Sequence, residues 1–266
     1  MKKAYACFDI GGSSIKVAVI TKAGEKLESG KIATGKSFTE CIDLMVDKLN
    51  DVNQRFSIEG VAISAPGAVD SESGLIGGKS ALDFIHGPNW KDVWREKTGF
   101  EIGIENDANC AALAELYYGE GKQYNDLAYV VLGTGVGGAV VKDKKIHKGV
   151  HLHGGEFGYM ILDANPHTGE QRVWSVVSST ISMVRDANEK LGRTDLDGRA
   201  VFELAEQGNE IAQEVIDTFY FYNAVGIYNI QFTFDPEIIL LGGGISQRED
   251  FEENIQKAIA KLMKTS

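Results

Sequence analysis

Phe8-Asp9-Ile10-Gly11-Gly12-Ser13-Ser14-Ile15-Lys16 reads as a strand end, a glycine turn and the start of a second strand. The apolar run 4–10 leads into it and the β-branched run 15–20 follows. A third run, 27–32, comes after the turn Thr21-Lys22-Ala23-Gly24-Glu25-Lys26. This predicts an antiparallel meander built on a glycine turn. The plan returns downstream as strand 127–132, then Gly133-Thr134-Gly135-Val136-Gly137-Gly138, then strand 139–142. A strand–turn–strand unit that occurs twice predicts two similar α/β halves with a cleft between them, placed at 1–107 and 108–266.

Neither turn is a dinucleotide fingerprint, because each leads into a strand and not a helix. Neither is a Walker A loop, since no Gly-Lys-Ser/Thr ends it. Between the turns, apolar residues at 42, 45, 46, 49 and 52 have helical spacing, with Thr39 as the expected N-cap. Residues 60–64 read as a buried strand stopped by Pro66-Gly67, 90–98 as a helix, 102–105 as a strand and 108–118 as an alanine-rich helix. Further helices are expected near 175–190, 198–207 and 209–231. Strand 238–241 runs into Gly242-Gly243-Gly244, and a last helix runs from about 249 to the end.

The 266 residues are 43% hydrophobic and 24% charged, an ordinary globular balance. The net charge of −11 offers no basic footprint for nucleic acid. The basic cluster Lys142, Lys144, Lys145, His147 and Lys148 reads as a solvated hairpin. Cys7, Cys41 and Cys110 are odd in number and lack metal-ligand spacing, as expected of reduced thiols in a cytoplasmic protein. Asp9 comes too early for a signal sequence, and no apolar run approaches the roughly 18–20 residues of a membrane span.

Five stretches carry chemistry. In the first turn, backbone N–H groups can face a phosphate, Asp9 can reach Mg²⁺, and Ser13 and Lys16 can reach phosphate oxygens; an ordinary hairpin has the same pattern. Gly133-Thr134-Gly135 offers a second such nest. Gly242-Gly243-Gly244 after a buried strand offers a flat floor for a planar base, or a plain helix-leading turn. In Glu105-Asn106-Asp107-Ala108-Asn109, Asp107 stands where a strand meets a helix. It is there either a helix cap or a general base. In His151-Leu152-His153-Gly154-Gly155-Glu156-Phe157-Gly158-Tyr159, glycines flank Glu156, an acceptor suited to vicinal sugar hydroxyls. The two histidines have no further ligand set at matching spacing.

Taken in order, these motifs, with Ser64-Ala65-Pro66-Gly67, resemble the ROK family (repressors, open reading frames, kinases) along essentially the whole chain. The resemblance implies the actin-like ATPase (ribonuclease H-like) fold, two α/β domains with a central cleft, and phosphoryl transfer from ATP to a sugar hydroxyl. It implies Asp107 as catalytic base and Asn106 and Glu156 as sugar-binding residues, with Gly67 on the sugar side. It also implies Asp9 near the metal, Gly11, Gly12, Ser13, Gly133, Thr134 and Gly135 near the phosphates, Gly243 and Gly244 near the nucleoside, and a homodimer.

Three departures stand out. Tyr159 replaces the histidine that ends the glutamate motif in many members and is expected to reshape the sugar pocket. Residues 160–180 hold no cysteine, so no structural zinc is expected. The family also continues past its final helix with a segment returning to the first domain, whereas this sequence stops at Ser266. The stretch Ser80-Ala81-Leu82-Asp83-Phe84-Ile85-His86-Gly87-Pro88-Asn89-Trp90 resembles the sugar-side loop of the zinc-lacking branch. It makes Asn89 a sugar-binding candidate, while Trp90 reads more readily as core. Expected is an ATP- and Mg²⁺-dependent kinase of a hexose or hexoside, acting at the 6-hydroxyl. The alternative is a catalytically silent sugar-binding regulator. A repressor would need a DNA-binding domain ahead of Asp9, for which this sequence has no room.

Overall fold

The alternating residues Ala4, Ala6, Phe8 and Ile10 are all buried, so one face of the first strand is core. The computed structural model describes residues 1–264. By internal contacts the chain divides between Ala111 and Ala112.

The first unit runs β1 (Lys3–Ile10), β2 (Ser14–Ile20), β3 (Lys26–Ala33), α1 (Phe38–Asn53) and β4 (Ser57–Ala65). A small hairpin follows, β5 (Ala68–Asp70) and β6 (Leu75–Gly77), then α2 (Trp90–Thr98), β7 (Ile102–Asn106) and the start of α3 (Asp107–Tyr118). The sheet order is β3-β2-β1-β4-β7. The meander is antiparallel, and β1, β4 and β7 are parallel. Phe8 packs on Trp94 at 5.9 Å between ring centroids, in a core that includes fully buried Met45 and Trp90.

The N-cap of α1 is Ser37, not Thr39. Its hydroxyl accepts from Glu40 N–H at 3.2 Å, and Glu40 reaches back to Lys36 N–H at 2.8 Å. Serine followed three residues later by glutamate is the stronger start signal, because both side chains satisfy free N–H groups.

The second unit repeats the plan. It comprises β8 (Leu127–Leu132), β9 (Val136–Lys142), β10 (Lys145–Ile146), β11 (Ile161–Ala164), β12 (Gln171–Val173), α4 (Trp174–Ser178), α5 (Thr180–Leu191), α6 (Gly198–Glu206), α7 (Glu210–Phe234), β13 (Ile238–Gly242) and α8 (Phe251–Met263). The sheet order is β10-β9-β8-β13, with β13 parallel to β8. As in the first unit, an antiparallel pair joined by a glycine turn lies beside a parallel strand. Asp143 and Lys144, both at positive φ, make the expected hairpin turn between β9 and β10.

The single helix expected near 175–190 is two. Ser179 leaves helical geometry at ψ 166°, and its hydroxyl caps α5 by accepting from Ser182 N–H. The Ser178 carbonyl, freed by the break, accepts from the fully buried Asn223 on α7 at 3.2 Å. A capping serine and a buried amide together outweigh continued helical periodicity.

Candidate active site

Strand register places the candidate residues of the first unit. Lys16 on β2, Asp9 on β1, Ser64 on β4 and Glu105 on β7 are successive partners across four strands. Register partners share a face, so these polar side chains form one row across the sheet. Asp9 takes a hydrogen bond from Ser64 Oγ at 2.8 Å on one oxygen, and Lys16 Nζ lies 3.0 Å from the other. Beside the row, Gly12 and Ser13 are exposed at the β1–β2 turn. Gly11 ties the turn down, donating to Ser14 O at 3.2 Å and accepting from Thr34 Oγ1 at 2.6 Å.

Asp107 is the first residue of α3, directly after β7. The cap is its neighbour: Asn106 Oδ1 accepts from Ala108 N–H at 2.9 Å and from Asn109 N–H at 3.1 Å. The Asp107 carboxylate is exposed and accepts from Ala108 N–H at 2.8 Å. The protein around it still strips some of its hydration, and the Asp9 carboxylate repels it. Both push its pKa up from the ordinary value, while the Ala108 and Asn106 hydrogen bonds pull it down. A carboxylate raised in this way is a better proton acceptor than a free aspartate.

Asn106 Nδ2 donates to Gly67 O at 3.1 Å, which ties the strand end to the Pro66-Gly67 corner. Gly67 sits at φ +101°. A Cβ there would stand 3.0 Å from Gly77 O and Ile76 Cγ2 and 3.1 Å from His86 Cε1. Asn89 is engaged as the N-cap of α2, accepting from Asp92 N–H at 3.1 Å. Trp90 is fully buried, with its indole bonded to Ile85 O at 3.1 Å; it is core, as its sequence reading favoured.

In the second unit, Gly133, Thr134 and Gly244 line a cavity of about 600 Å³, walled by Ile181, Phe202 and Arg248. That is ample for a nucleoside. The Arg248 guanidinium lies 3.9 Å over the Phe202 ring, steadied by Asp250 at 2.9 and 3.0 Å. Gly135 sits beside Ser175, and Gly243 precedes the cavity floor at φ +103°.

Glu156 is half-buried and starts the single turn Phe157–Tyr159. The glycines around it serve packing: a Cβ on Gly158 would overlap Val136 O and Ser175 Oγ. Tyr159 is 74% exposed.

Residues that sequence reasoning missed hold these groups in place. Ser64 orients Asp9. Ser175 Oγ accepts from Val136 N–H at 2.9 Å, and Thr180 N–H donates to Gly133 O at 3.0 Å, so α4 and α5 brace the second glycine turn. The serine-rich stretch 175–182 was the available signal.

Among the described residues, no group of three or more His, Cys, Asp or Glu side chains is placed to hold a metal. Magnesium held by one or two carboxylates and substrate phosphates needs no such cage, and Asp9 fits that role. No helix among the described residues is long and apolar enough to cross a membrane. Burial raises the Cys110 thiol to about 12 and the Cys41 thiol to about 11, so both stay protonated.

The sequence model of the ROK family matches residues 5–266. A β-glucoside kinase of Klebsiella pneumoniae is 31% identical, over 96% of this chain and 86% of that protein. The crystal structure of a ROK family protein from Streptococcus pneumoniae TIGR4 in complex with sucrose is 38% identical, covers 99% of this chain and 88% of that one, and superposes with a TM-score of 0.87. A ROK family glucokinase from Streptomyces griseus in complex with glucose and AMPPNP is 26% identical, covers 97% and 89%, and gives a TM-score of 0.79.

Proposed function

We propose, for a chain that belongs to the ROK family and has its actin-like ATPase fold, an ATP-dependent sugar kinase that phosphorylates the 6-hydroxyl of a hexose or hexoside. The observation that carries this reading is Asp107: an exposed carboxylate at the head of α3, raised toward proton-accepting strength, beside the row that holds Asp9.

Ionised Asp107 takes the proton of the attacking hydroxyl. The hydroxyl oxygen bonds to the γ-phosphorus of ATP, the bond to the bridging oxygen breaks, and ADP leaves with those electrons. Asn106, through its amide, donates to a sugar hydroxyl, Glu156 accepts from sugar hydroxyls, and together they orient the acceptor. The two glycine turns offer N–H groups to phosphate oxygens, and Lys16 adds a positive charge. The cavity lined by Gly244 and Phe202 takes the nucleoside. Mg²⁺, held by Asp9 and phosphate oxygens, would neutralise charge on the phosphates. The names of the relatives support a sugar acceptor, among them the β-glucoside kinase and the glucose-bound glucokinase.

The test is ADP release by the purified protein with Mg²⁺ and a panel of glucose, cellobiose, fructose, mannose and N-acetylmannosamine. The product of the best acceptor is then located by NMR. Sugar-dependent ADP release with phosphate at C6 is expected. Sugar binding without ADP release would replace the kinase by a sugar-binding regulator.

A further inference from the structure

We propose that His86 is a positioning residue for the catalytic centre: its ring braces the Gly67 corner, and that corner holds Asn106 and the first turn of α3, where Asp107 sits. The proposal rests on the reading of Asp107 as the base.

His86 is fixed in two polar directions. Nδ1 lies 3.3 Å from the Ile76 carbonyl, and Nε2 lies 3.0 Å from Ser80 Oγ. A carbonyl only accepts, so Nδ1 carries the proton in its contact, while Ser80 Oγ stands between Nε2 and the Leu82 carbonyl, which it meets at 3.3 Å. Ser80 is itself held, accepting from Leu82 N–H at 3.2 Å. The ring therefore does not swing with a loose loop.

The ring also stands near the Gly67 corner. His86 Cε1 lies 3.1 Å from where a Cβ on Gly67 would stand. Ile76, which receives Nδ1, pairs with Val69 in the small hairpin that follows Gly67 directly. His86 is thus bonded to the hairpin and stands close to the corner. The Gly67 carbonyl accepts from Asn106 Nδ2 at 3.1 Å. Asn106 in turn holds the Ala108 and Asn109 N–H groups. A displaced Gly67 carbonyl would release the Asn106 amide, and with it the start of the helix. The effect on catalysis follows because a small misplacement of a reacting group is costly.

Three variants test this. His86→Phe keeps the ring and removes both polar contacts, His86→Asn keeps a donor near Ile76 O, and Ser80→Ala removes the second anchor. We expect His86→Phe to lower kcat on the order of tenfold to a hundredfold and to leave the ATP KM in place. Ser80→Ala should show a smaller loss, and His86→Asn a partial rescue. Hydrogen exchange at the Ala108 and Asn109 amides should quicken. A kcat loss that only tracks the unfolded fraction would overturn the proposal. So would unchanged exchange at those two amides. The exchange measurement needs no turnover, so it judges the positioning separately from the kinase reading, which falls if the parent protein releases no ADP with any sugar.

Discussion

Ser64 Oγ stands 2.8 Å from Asp9 Oδ1 because the two residues are register partners of parallel strands β4 and β1. Lys16 holds the other oxygen from β2, so Asp9 is gripped from both neighbouring strands. Ser64→Ala should free one oxygen and let the carboxylate follow Lys16. A hydrogen bond to a charged group contributes about 1.5–3 kcal/mol. The expected loss in kcat/KM for Mg·ATP is therefore tenfold or more, on the order of 1.4 kcal/mol per decade. Ser64→Thr should keep most activity. Steady-state kinetics at varied Mg·ATP decides it; full activity in Ser64→Ala would remove Ser64 from the site.

Asp107→Asn should lower kcat on the order of 10²–10⁴-fold while sugar binding persists, since the amide keeps the shape and loses the proton acceptor. The acid limb of kcat/KM in the parent should lie above the ordinary aspartate value of about 3.9. The stability effect has the opposite sign. A raised folded-state pKa means that Asp107 stabilises the fold fully below the unfolded value and loses that contribution as pH rises through the folded value. Asp107→Asn should therefore melt higher than the parent at pH 7, and the difference should vanish at low pH. A lower melting temperature at pH 7 would contradict the desolvated carboxylate.

Phe202→Ala should weaken nucleotide binding. The ring walls the cavity and carries the Arg248 guanidinium at 3.9 Å, a stack typically contributing about 0.5–2 kcal/mol. Calorimetry should give an ADP affinity roughly three- to thirtyfold weaker, with kcat at saturating ATP close to the parent. An unchanged affinity would place the base elsewhere.

Chelation separates catalytic from structural metal. EDTA should abolish turnover, and added Mg²⁺ should restore it, because phosphate-bound Mg²⁺ is labile. The melting temperature should stay put. Residues 160–180 carry no cysteine and fold as the β11–β12 hairpin leading into α4, tied by the Arg172–Asp163 ion pair. A melting temperature that falls with chelator would reveal a structural metal.

Much of this architecture was legible because it depends on local signals. Alternating apolar residues fixed β1, and Gly11-Gly12 and Gly133-Thr134-Gly135 marked the turns of both antiparallel pairs. Asp107 was readable from its place between a strand and a helix. Whether it caps the helix was left open, since aspartate and asparagine cap almost equally well, and geometry shows that Asn106 does so. The roles of Ser64, Ser175 and Thr180 escaped notice because they lie in cross-strand register and tertiary contact, which leave no periodic trace. The break at Ser179 was hidden for the same reason: its compensation comes from Asn223, 44 residues away in sequence.

Asn223 gives the most direct test of that long-range compensation. Its Oδ1 accepts from Trp174 Nε1 at 2.9 Å, and its Nδ2 donates to Ser178 O at 3.2 Å and to Phe219 O at 2.9 Å. Asn223→Leu keeps a similar volume but leaves a buried indole N–H and the Ser178 carbonyl without their partner. Each orphaned group costs about 1–3 kcal/mol, so the variant should lose about 3 kcal/mol in urea unfolding. The loss should reach the site as well. Ser178 precedes the break that delivers Thr180 N–H to Gly133 O, so a helix that re-forms through Ser179 withdraws that brace from the glycine turn. Nucleotide affinity of the folded variant should then fall along with stability. A stability loss with unaltered affinity would show that the glycine turn holds its shape without α5.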